Sequence, residues 1–461
     1  MTQSGKPAPK RPAPRRGDNP RQVALTALQD VTRAGAYASL ALNRRLRESD
    51  MPQRDKNLVS ELVYGTLEKL LTLDYCIDRR LERTDIELLV RNILRLGAYQ
   101  ILYMRTPDHA AVDESVTLAR RLGRESFAGL VNAILRSLSR EKDALSWPER
   151  QADPARYLPG RDSLPQWIVL RLLDAYGEEM AEQIAAWTPQ AHTLTVRRTP
   201  GRLSREAFEG LMTAKGWRWE PGRLEGAYYV ANARDVGLDK DYLQGVFSVQ
   251  GESSMLAAMA VSPRRGANVL DACAAPGGKT ACLSEAMGGT GRVYAWDVHE
   301  HRVDLIRGMV RRLRLDNVRP AVRDALHVKE DLLGVMDAVL LDAPCSGLGV
   351  MLSKPDVKYR QSPESVASLV QTQRALLDAC CGYVRPGGTL VYSTCTILPE
   401  ENRLQAEAFL ARHGEFSLDP EGLRAALPPE FAARADGGML QLLAHRDGLE
   451  GFFIARMRRR T

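Results

Sequence analysis

Three features that would place this chain at a membrane or around a metal are missing from its sequence. No run approaches the roughly 18 apolar residues of a membrane helix, and no charged-then-apolar leader is present. The seven cysteines include no C-x-x-C pair, which argues against a zinc site, and we expect no bound metal. Cysteines in apolar or cofactor-like segments suit a reducing compartment, so we expect a cytoplasmic protein.

A strong charge on the folded part of the chain is also missing. The net charge is +7, yet residues 1–16 carry five Lys or Arg and no acid, and residues 456–461 carry four Arg. The positive charges of the two tails exceed the net charge of the whole chain, so the folded part between them is close to neutral. A nucleic-acid surface would therefore have to be a local patch of positive charge. Residues 1–17, rich in Pro, Lys and Arg, are expected to be a disordered basic tail.

Residues 18–140 predict an all-helical domain. Asp18-Asn19-Pro20 is a good helix cap followed by proline in the first turn. Apolar residues then recur at helical spacing, and three further helices are predicted at 87–104, 112–122 and 126–138. Nothing before Arg140 alternates like a strand.

Residues 141–248 predict a helical connector followed by a small α+β unit. The main helices of the connector are expected within 164–186. The α+β unit is predicted from a strand, a helix and a strand at 193–196, 204–216 and 228–230. Its Arg197-Arg198 pair is expected to face RNA. Trp217 and Trp219 are interpreted as core residues, with base stacking as the alternative.

From residue 249 onward strands and helices alternate, which predicts a doubly wound, Rossmann-like α/β catalytic domain over 249–461. Five apolar strands are predicted at 268–271, 292–297, 319–323, 338–342 and 389–393. Ligands of such sheets bind beyond the carboxyl ends of the strands. The residues with distinctive chemistry follow those ends.

The first of these strands runs into DACAAPGGKT, residues 271–280. Pro276 and the Gly277-Gly278 pair let the backbone pass close to a ligand, and the amides of the following helix face the turn. The turn lacks the G-x-G-x-x-G dinucleotide fingerprint. It ends like a P-loop, but Cys273 stands where the first glycine of that motif belongs. S-adenosylmethionine is the third candidate ligand, and the residues downstream favour it.

Acids follow the next two strands. Asp297 closes the second strand, where a carboxylate can accept hydrogen bonds from ribose hydroxyls; the alternative is that it caps the next helix. Asp324 follows the third strand and would accept a hydrogen bond from an adenine amino group; the alternative is an ordinary turn residue. This series favours a nucleoside cofactor held without a pyrophosphate cradle.

Cysteines follow the fourth and fifth strands: Cys345 after Asp342-Ala343-Pro344, and Cys395 at the end of TLVYSTC. A disulfide or inert burial is the alternative interpretation. A thiolate that adds to carbon 6 of a pyrimidine makes carbon 5 nucleophilic enough to accept a methyl group; a base then removes the carbon-5 proton and the thiol leaves. Asp342 would stabilise this adduct near the ring nitrogen. Lys279 is the candidate charge that would lower the pKa of the thiol.

The helical segments resemble the NusB-type RNA-binding domain. The stretches that carry the resemblance are RDKNLVSELVYGTL (54–67), RNILRLGAYQILYM (91–104) and HAAVDESVTLARRLGRESFAGLVNAILR (109–136). The resemblance implies RNA binding. Arg120, Arg121 and Arg124 would face phosphates, and the alternative for each is a solvated helix face.

Residues 249–458 resemble the Nol1/Nop2/Sun family of RNA cytosine-5 methyltransferases. The matching motifs are DACAAPGGKT, DVHEHR, DAPCSGLGV, KPDVKY, STCTILPEEN and GFFIARM. With the helical N-terminal domain, the whole chain is similar to the bacterial Sun/RsmB-type members, which methylate a cytosine of small-subunit ribosomal RNA. The resemblance implies that Cys395 is the nucleophile and that Cys345 helps release the product. DNA cytosine-5 methyltransferases use their Pro-Cys cysteine as nucleophile, so swapped roles stay open.

The resemblance also implies which residues contact S-adenosylmethionine. They are Cys273, Ala274, Ala275, Pro276, Gly277, Gly278, Lys279, Asp297, Asp324 and Asp342. We therefore predict a multidomain, S-adenosylmethionine-dependent methyltransferase that forms 5-methylcytosine in small-subunit ribosomal RNA and acts as a monomer. The alternatives are another RNA such as tRNA, a non-catalytic RNA-binding or antitermination module, and a P-loop NTPase.

Overall fold

The computed structural model describes residues 19–148, 154–188, 194–233 and 235–461. The chain divides into two units. One holds the described residues up to Leu170 together with Lys354–Arg360, and the other holds Arg171–Ser353 and Gln361–Thr461. The basic tail predicted at 1–17 lies outside the described residues. In the part of the chain that is described, no helix is long and apolar enough to cross a membrane.

The first unit is helical, as predicted. Its helices are Pro20–Thr32, Ala38–Glu48, Gln53–Glu68, Leu70–Asp78, Leu88–Tyr103, Asp108–Arg121, Ala128–Glu141 and Pro154–Asp162. The first begins at the predicted cap: the Asn19 side chain accepts hydrogen bonds from the N–H groups of Arg21 and Gln22, and Pro20 opens the helix. The apolar stripes of the first seven of these helices close on a single core. A further helix, Gln166–Ala186, departs from helical geometry at Gly177.

The KPDVKY stretch belongs to this helical unit, although it lies in the catalytic half of the sequence. It contributes the short helix Val357–Arg360. Lys358 is buried there and its Nζ donates a hydrogen bond to the Glu68 carbonyl at 2.9 Å, while Asp356 Oδ2 accepts one from the Ala38 N–H at 3.2 Å. Burial lowers the pKa of Lys358 to about 7. This motif therefore stabilises the helical unit.

The second unit begins with a small antiparallel sheet. Its strands are β1 (Leu194–Arg198), β2 (Arg218–Pro221), β3 (Ala227–Ala231) and β4 (Phe247–Val249), in the order β2-β3-β1-β4. The helix Arg205–Ala214 covers it with Phe208 and Met212. Trp217 contacts Phe247 edge-on at 5.6 Å, and Trp219 contacts Tyr228 at 5.7 Å. Both tryptophans therefore fill this small core, as interpreted.

The expectation that Arg197 faces RNA is wrong. The side chain is buried, with only 4% of the residue exposed. Its Nε donates to Gln250 Oε1 at 2.9 Å, and its guanidinium forms an ion pair with Glu285. A charged group this deep must be paired, and its partner lies on a distant helix that no local pattern reveals. Arg198 is half-buried and donates to the Leu203 carbonyl.

The catalytic sheet has eight strands. They are β5 (Asn268–Asp271), β6 (Arg292–Asp297), β7 (Val318–Val322), β8 (Met336–Asp342), β9 (Val384–Thr394), β10 (Phe416–Leu418), β11 (Met439–Leu442) and β12 (Phe452–Arg459). The order is β10-β12-β9-β8-β5-β6-β7, with β11 also paired to β12. Strands β5 to β9 are parallel neighbours, and β12 pairs antiparallel to β9. The five predicted strands are confirmed.

Helices cover both faces of this sheet because alternate side chains of each strand enter separate cores. Val269 and Ala295 enter one core, while Leu270 and Trp296 enter the other. The longer helices are Glu252–Met259, Gly278–Ala286, Glu300–Leu313, Pro363–Cys380 and Arg403–Arg412, and the short ones are Lys240–Leu243, Pro420–Ala426, Pro429–Ala432 and Ala444–Asp447. The parallel strands bring their carboxyl ends to one edge, where the predicted site residues lie.

Candidate active site

The turn after β5 requires glycine at one position. Gly277 has φ +108°, and a Cβ added there would lie 2.5 Å from the Cε of Met309. The helix that follows begins at Gly278, and no side chain caps it. Its first backbone N–H groups therefore face the turn and can donate to a ligand.

The side chains that a P-loop would use are engaged elsewhere. Thr280 Oγ1 donates to Asp271 Oδ2 at 2.6 Å inside the protein, so this hydroxyl does not face the turn as a magnesium ligand. Lys279 Nζ lies 2.7 Å from Asp342 Oδ2 on β8. Burial raises the pKa of the Asp271 carboxyl to about 7. These contacts and the missing glycine at Cys273 argue against a nucleotide triphosphate site.

Asp297 fits the ribose hydroxyls of a nucleoside. It is 3% exposed, and its Oδ1 accepts a hydrogen bond from the His299 N–H at 3.1 Å, so the capping role holds for that oxygen. The Oδ2 atom lies 3.2 Å from Arg302 Nη1, but no donor among the described residues forms a hydrogen bond with it. A buried acceptor without a donor is costly, and a ligand hydroxyl would satisfy it.

Asp324 lies where β7 ends, and its contacts are those of a turn residue. Its Oδ1 accepts from the Leu326 N–H at 2.9 Å, and its Oδ2 lies 3.3 Å from His327 Nδ1. The side chain is one-third exposed. Its carboxylate has lone pairs left for a ligand, so the adenine role stays a prediction.

Asp342 connects the turn after β5 to the strands that carry the cysteines. Its Oδ2 pairs with Lys279, and its Oδ1 accepts from Ser393 Oγ at 2.8 Å, directly across from it on β9. Burial alone would lower the pKa of Lys279, but the Asp342 carboxylate outweighs it and the pKa is raised. Lys279 is therefore a firmly charged ammonium, and Cys395 also contributes to raising its pKa.

The two cysteines face each other at the ends of β8 and β9. Cys345 Sγ lies 3.4 Å from Cys395 Sγ, and both are free thiols. The hydrogen bond with Cys395 and burial raise the pKa of Cys345 well above its ordinary value. The disulfide interpretation is therefore wrong for this structure, and Cys395 lies close enough to Lys279 to interact with its charge.

A buried polar network that sequence reasoning missed holds the residue after each cysteine. Ser346 Oγ lies 2.7 Å from Thr396 Oγ1. The buried carboxylate of Glu401 accepts from Ser346 N–H at 2.8 Å, from Ser346 Oγ at 2.5 Å and from Gln373 Nε2 at 2.9 Å. The polar residues of the CSG, TCT and LPEEN stretches were the available signal. The hydrogen bonds of this network hold the backbone that follows each of the two cysteines.

The strand order places the site residues in a row along one edge of the sheet. From one side to the other it runs Cys395 after β9, Cys345 after β8, the DACAAPGGKT turn after β5, Asp297 after β6 and Asp324 after β7. Neighbouring strands are about 4.8 Å apart, so about 19 Å separates the two ends of this row. The turn lies between the thiols and the acids. The Ala274 N–H donates to the Trp296 carbonyl at 2.7 Å, which fixes this turn against β6.

Comparisons with known proteins agree with this geometry. Residues 258–458 match the family model described as 16S rRNA methyltransferase RsmB/F, and residues 18–140 match the NusB family. A Bacillus subtilis (strain 168) protein named probable ribosomal RNA small subunit methyltransferase B is 37% identical over 450 residues, which cover 95% of this chain and 98% of the relative.

Solved structures share the fold. The crystal structure of PH0851 superposes with a TM-score of 0.78 at 23% identity, over 96% of this chain and 99% of the other. The crystal structure of NSun6 from Pyrococcus horikoshii with SFG gives a TM-score of 0.56 at 20% identity, over 65% of this chain and 99% of the other. The chain therefore belongs to the ribosomal RNA small subunit methyltransferase B family of S-adenosylmethionine-dependent enzymes.

Proposed function

We propose that this enzyme transfers a methyl group to carbon 5 of a specific cytosine in small-subunit (16S) ribosomal RNA through a covalent adduct with Cys395. The observation that carries the proposal is the pair of free thiols 3.4 Å apart at the ends of β8 and β9, beside the Lys279–Asp342 ion pair. The names of the family model and of the bacterial relative support the choice of RNA.

The chemistry assigns a step to each residue. The cofactor, when bound, supplies an electrophilic methyl group. The Cys395 thiolate bonds to carbon 6 of the cytosine, and the electron pair of the 5,6 double bond makes carbon 5 the nucleophile that accepts the methyl group. A base then removes the carbon-5 proton, the double bond re-forms and the bond between sulfur and carbon 6 breaks.

The neighbours of Cys395 support its role as nucleophile. Lys279 carries a fixed positive charge that interacts with Cys395, and such a charge stabilises a thiolate. Cys345 Sγ lies 3.4 Å from Cys395 Sγ, so it lies beside any base that Cys395 would bind. We therefore assign Cys345 to the release step, for which its sulfur is close enough. Asp342 would contact the ring nitrogen of the target base.

The cofactor would lie along the strand ends. The backbone from Cys273 to Gly278 and the charged end of Lys279 would hold its amino-acid and methyl end. The Oδ2 of Asp297, which lies in an ion pair with Arg302 but accepts no hydrogen bond from the described residues, would accept from the ribose. Asp324 would accept from the adenine amino group, and Asp342 would lie between the cofactor and the target base.

The remaining parts of the chain would position the RNA. We assign this role to the helical domain at 18–140 and to the connector and α+β unit at 141–248, ahead of the catalytic domain at 249–461. The target base must leave its stack to reach both the thiol and the methyl group, so we expect an unpaired or opened site. We further propose that the enzyme acts in the cytoplasm as a monomer without a metal.

Incubation of the enzyme with small-subunit ribosomal RNA and labelled S-adenosylmethionine tests this function. We expect label in 5-methylcytosine at one position of the RNA, and the same position should lose its methyl group in cells that lack the gene. Transfer to tRNA alone would favour the alternative substrate. Absence of transfer to any RNA would favour a binding module.

A further inference from the structure

The sheet ends at β7 in an open cavity lined by positive charge. Its volume is about 300 Å³, and its lining includes Arg292, Tyr294 and Trp296 from β6 together with Arg319, Arg323 and Lys329. Residues 292, 294 and 296 alternate along the strand and therefore share one face of the sheet. Among the residues that the structure describes, no acidic one lines the cavity. It is separate from the turn and the cysteines described above.

The cavity exists because a covering helix is missing. β7 is an edge strand, and the chain returns from it to the parallel strand β8 through residues 323–335. Such crossovers usually contain an α-helix that covers the sheet. Here the described connection contains only the short 3-10 turn Glu330–Leu332. The face of β6 and β7 consequently stays accessible beside Tyr294.

The arginines of the cavity lack acidic partners. Arg292 donates to the Tyr294 hydroxyl at 3.4 Å, Arg319 donates to the carbonyls of Asp316 and Val318, and the Arg323 guanidinium lies 5.4 Å from the centre of the Trp296 ring. No carboxylate of the described residues lies within ion-pair distance of these three guanidinium groups. Lys329 is paired, with Asp331 at 2.9 Å.

Arg307, on the adjacent helix Glu300–Leu313, differs from the cavity arginines because it has acidic partners. Its guanidinium pairs with both Glu300 and Asp304, which leaves little charge for a ligand. Unpaired cations that converge on one concave surface attract an anion more strongly than paired or scattered ones. The cavity therefore fits a ligand with negative charge and a flat face that can lie against Tyr294 and a guanidinium plane.

We propose that this cavity binds one unpaired nucleotide of the substrate RNA, with its base against Tyr294 and Arg323 and its neighbouring phosphates on Arg292 and Arg319. The inference rests on the proposed function for the identity of the RNA. The volume is at the lower end of ligand pockets, about 300–1,000 Å³, so a single nucleotide fits and a duplex does not. Bases of unpaired RNA commonly stack on aromatic rings and arginine planes.

The place of the cavity in the sheet predicts which kinetic constant it affects. Arg323 follows β7, and four strand spacings of about 4.8 Å separate β7 from β9, which carries the nucleophile. A nucleotide bound here is therefore not the target base. It adds affinity for RNA equally before and during the reaction, so its loss raises KM and leaves kcat nearly unchanged.

The test replaces Arg292 and Arg319, the two residues assigned to phosphates, together by glutamine. The control replaces Arg307 and Arg311, on the helix Glu300–Leu313, in the same way, so that both variants lose the same net charge. We expect the KM for small-subunit ribosomal RNA to rise about 10-fold in the cavity variant, with kcat within about 2-fold of the wild type. The slope of log affinity against log salt should fall by about 1.4 for an unpaired oligoribonucleotide, since each phosphate contact contributes about 0.7.

Several results would overturn the inference. The first is a KM and a salt slope equal to those of the control variant. The second is a loss of affinity for the oligoribonucleotide annealed to its complement that is as large as the loss for the unpaired oligoribonucleotide. An effect confined to assembled ribosomal particles, with naked RNA unaffected, would instead identify a protein contact. Arg292→Gln alone should show about half the change in slope if the double variant folds poorly. Binding of the oligoribonucleotide is measured without methyl transfer, so failure of the proposed function is distinguishable.

Discussion

Replacement of Glu401 tests whether the buried network positions the thiol pair. Glu401 is fully buried, and its carboxylate accepts three hydrogen bonds from Ser346 and Gln373. Glu401→Ala removes both acceptor oxygens and all three hydrogen bonds, so the segment after Cys395 loses its bonds to Ser346, next to Cys345, and to Gln373. We expect reduced stability and slow methyl transfer in this variant.

The contacts set the size of the effect. After the substitution, the Ser346 hydroxyl keeps Thr396 at 2.7 Å, and Gln373 keeps the Pro344 carbonyl at 3.0 Å. The Ser346 N–H is left buried without an acceptor, which costs about 1–3 kcal/mol, and the two weakened bonds to a charged acceptor add a similar amount. Together these losses would lower the free energy of unfolding by about 2–6 kcal/mol before any offset. Burial raises the pKa of Glu401, which shows that the folded protein disfavours its charged form. Removal of the carboxylate also removes this cost of burying a charge, and this offsets part of the lost stability.

Two further variants distinguish the loss of the Glu401 hydrogen bonds from the loss of any acidic side chain in this segment. Glu401→Gln keeps one oxygen for Ser346 N–H and Gln373, and its amide can donate to Ser346 Oγ once that hydroxyl turns to Thr396, so we expect a loss of only about 1 kcal/mol. Glu400→Ala removes an adjacent acid whose ion pair, with Arg171 at 3.6 Å, is long, and it should cost less than about 1 kcal/mol.

Denaturant unfolding and single-turnover methyl transfer measure the two effects. Glu401→Ala should slow transfer by about 10-fold or more, because displacement of reacting atoms by about 1 Å can cost about 100-fold. Equal stability and equal rates for the Ala variants at 400 and 401 would refute the role of the network.

Three other predictions concern the ligand side of the site. Lys279→Gln should slow methyl transfer by about 10-fold and move the pH–rate profile to higher pH, since the thiolate loses a stabilising charge; an unchanged profile would contradict the role of Lys279. Asp297→Asn should weaken S-adenosylmethionine binding in calorimetry by about 10- to 100-fold, because a hydrogen bond to a charged group contributes about 1.5–3 kcal/mol. An affinity equal to that of the wild type would contradict the ribose contact. The pKa of Asp271 is raised in the folded state to about 7, so its contribution to stability is complete at low pH and is lost as the pH rises through 7. Asp271→Asn keeps an acceptor for Thr280, and its unfolding free energy relative to wild type should increase by up to about 4 kcal/mol between about pH 4 and pH 8; a difference that does not depend on pH would contradict the shift.

The parallel strands and the residues after them were predictable because their signals are local. Each strand is a short apolar run, and Cys345, Cys395 and Asp297 follow such runs directly. The glycine turn at 277–278 also shows its geometry in the sequence. Family, enzyme class, fold and cofactor were predicted from these motifs together with the helical N-terminal pattern, and the comparisons with known proteins confirmed them.

The antiparallel strands of the catalytic sheet were missed for a physical reason. β12 lies between β9 and β10, and its first six residues are buried, so its sequence GFFIARM shows no alternation between apolar and polar residues. The KPDVKY stretch was misleading in another way, since its Lys358 is buried in the helical unit by contacts with residues nearly 300 positions earlier. No local pattern contains such contacts.

The polar network and Arg197 depended on tertiary pairing. Ser346, Gln373 and Glu401 come together from three separate segments, and a glutamate in a polar stretch such as LPEEN predicts an exposed side chain. Arg197 was expected to be exposed because arginine usually is, whereas Glu285 pairs with it inside the protein. Charged residues are the ones whose position a sequence specifies least.

Covalent capture of RNA by the two single-cysteine variants bears most directly on the proposed chemistry. After incubation with small-subunit ribosomal RNA and S-adenosylmethionine, Cys345→Ala should accumulate a protein–RNA adduct that survives denaturing electrophoresis, and Cys395→Ala should form none and transfer no methyl group. An adduct in Cys395→Ala and none in Cys345→Ala would exchange the two roles. Methyl transfer by Cys395→Ala at the wild-type rate would contradict covalent catalysis by this thiol.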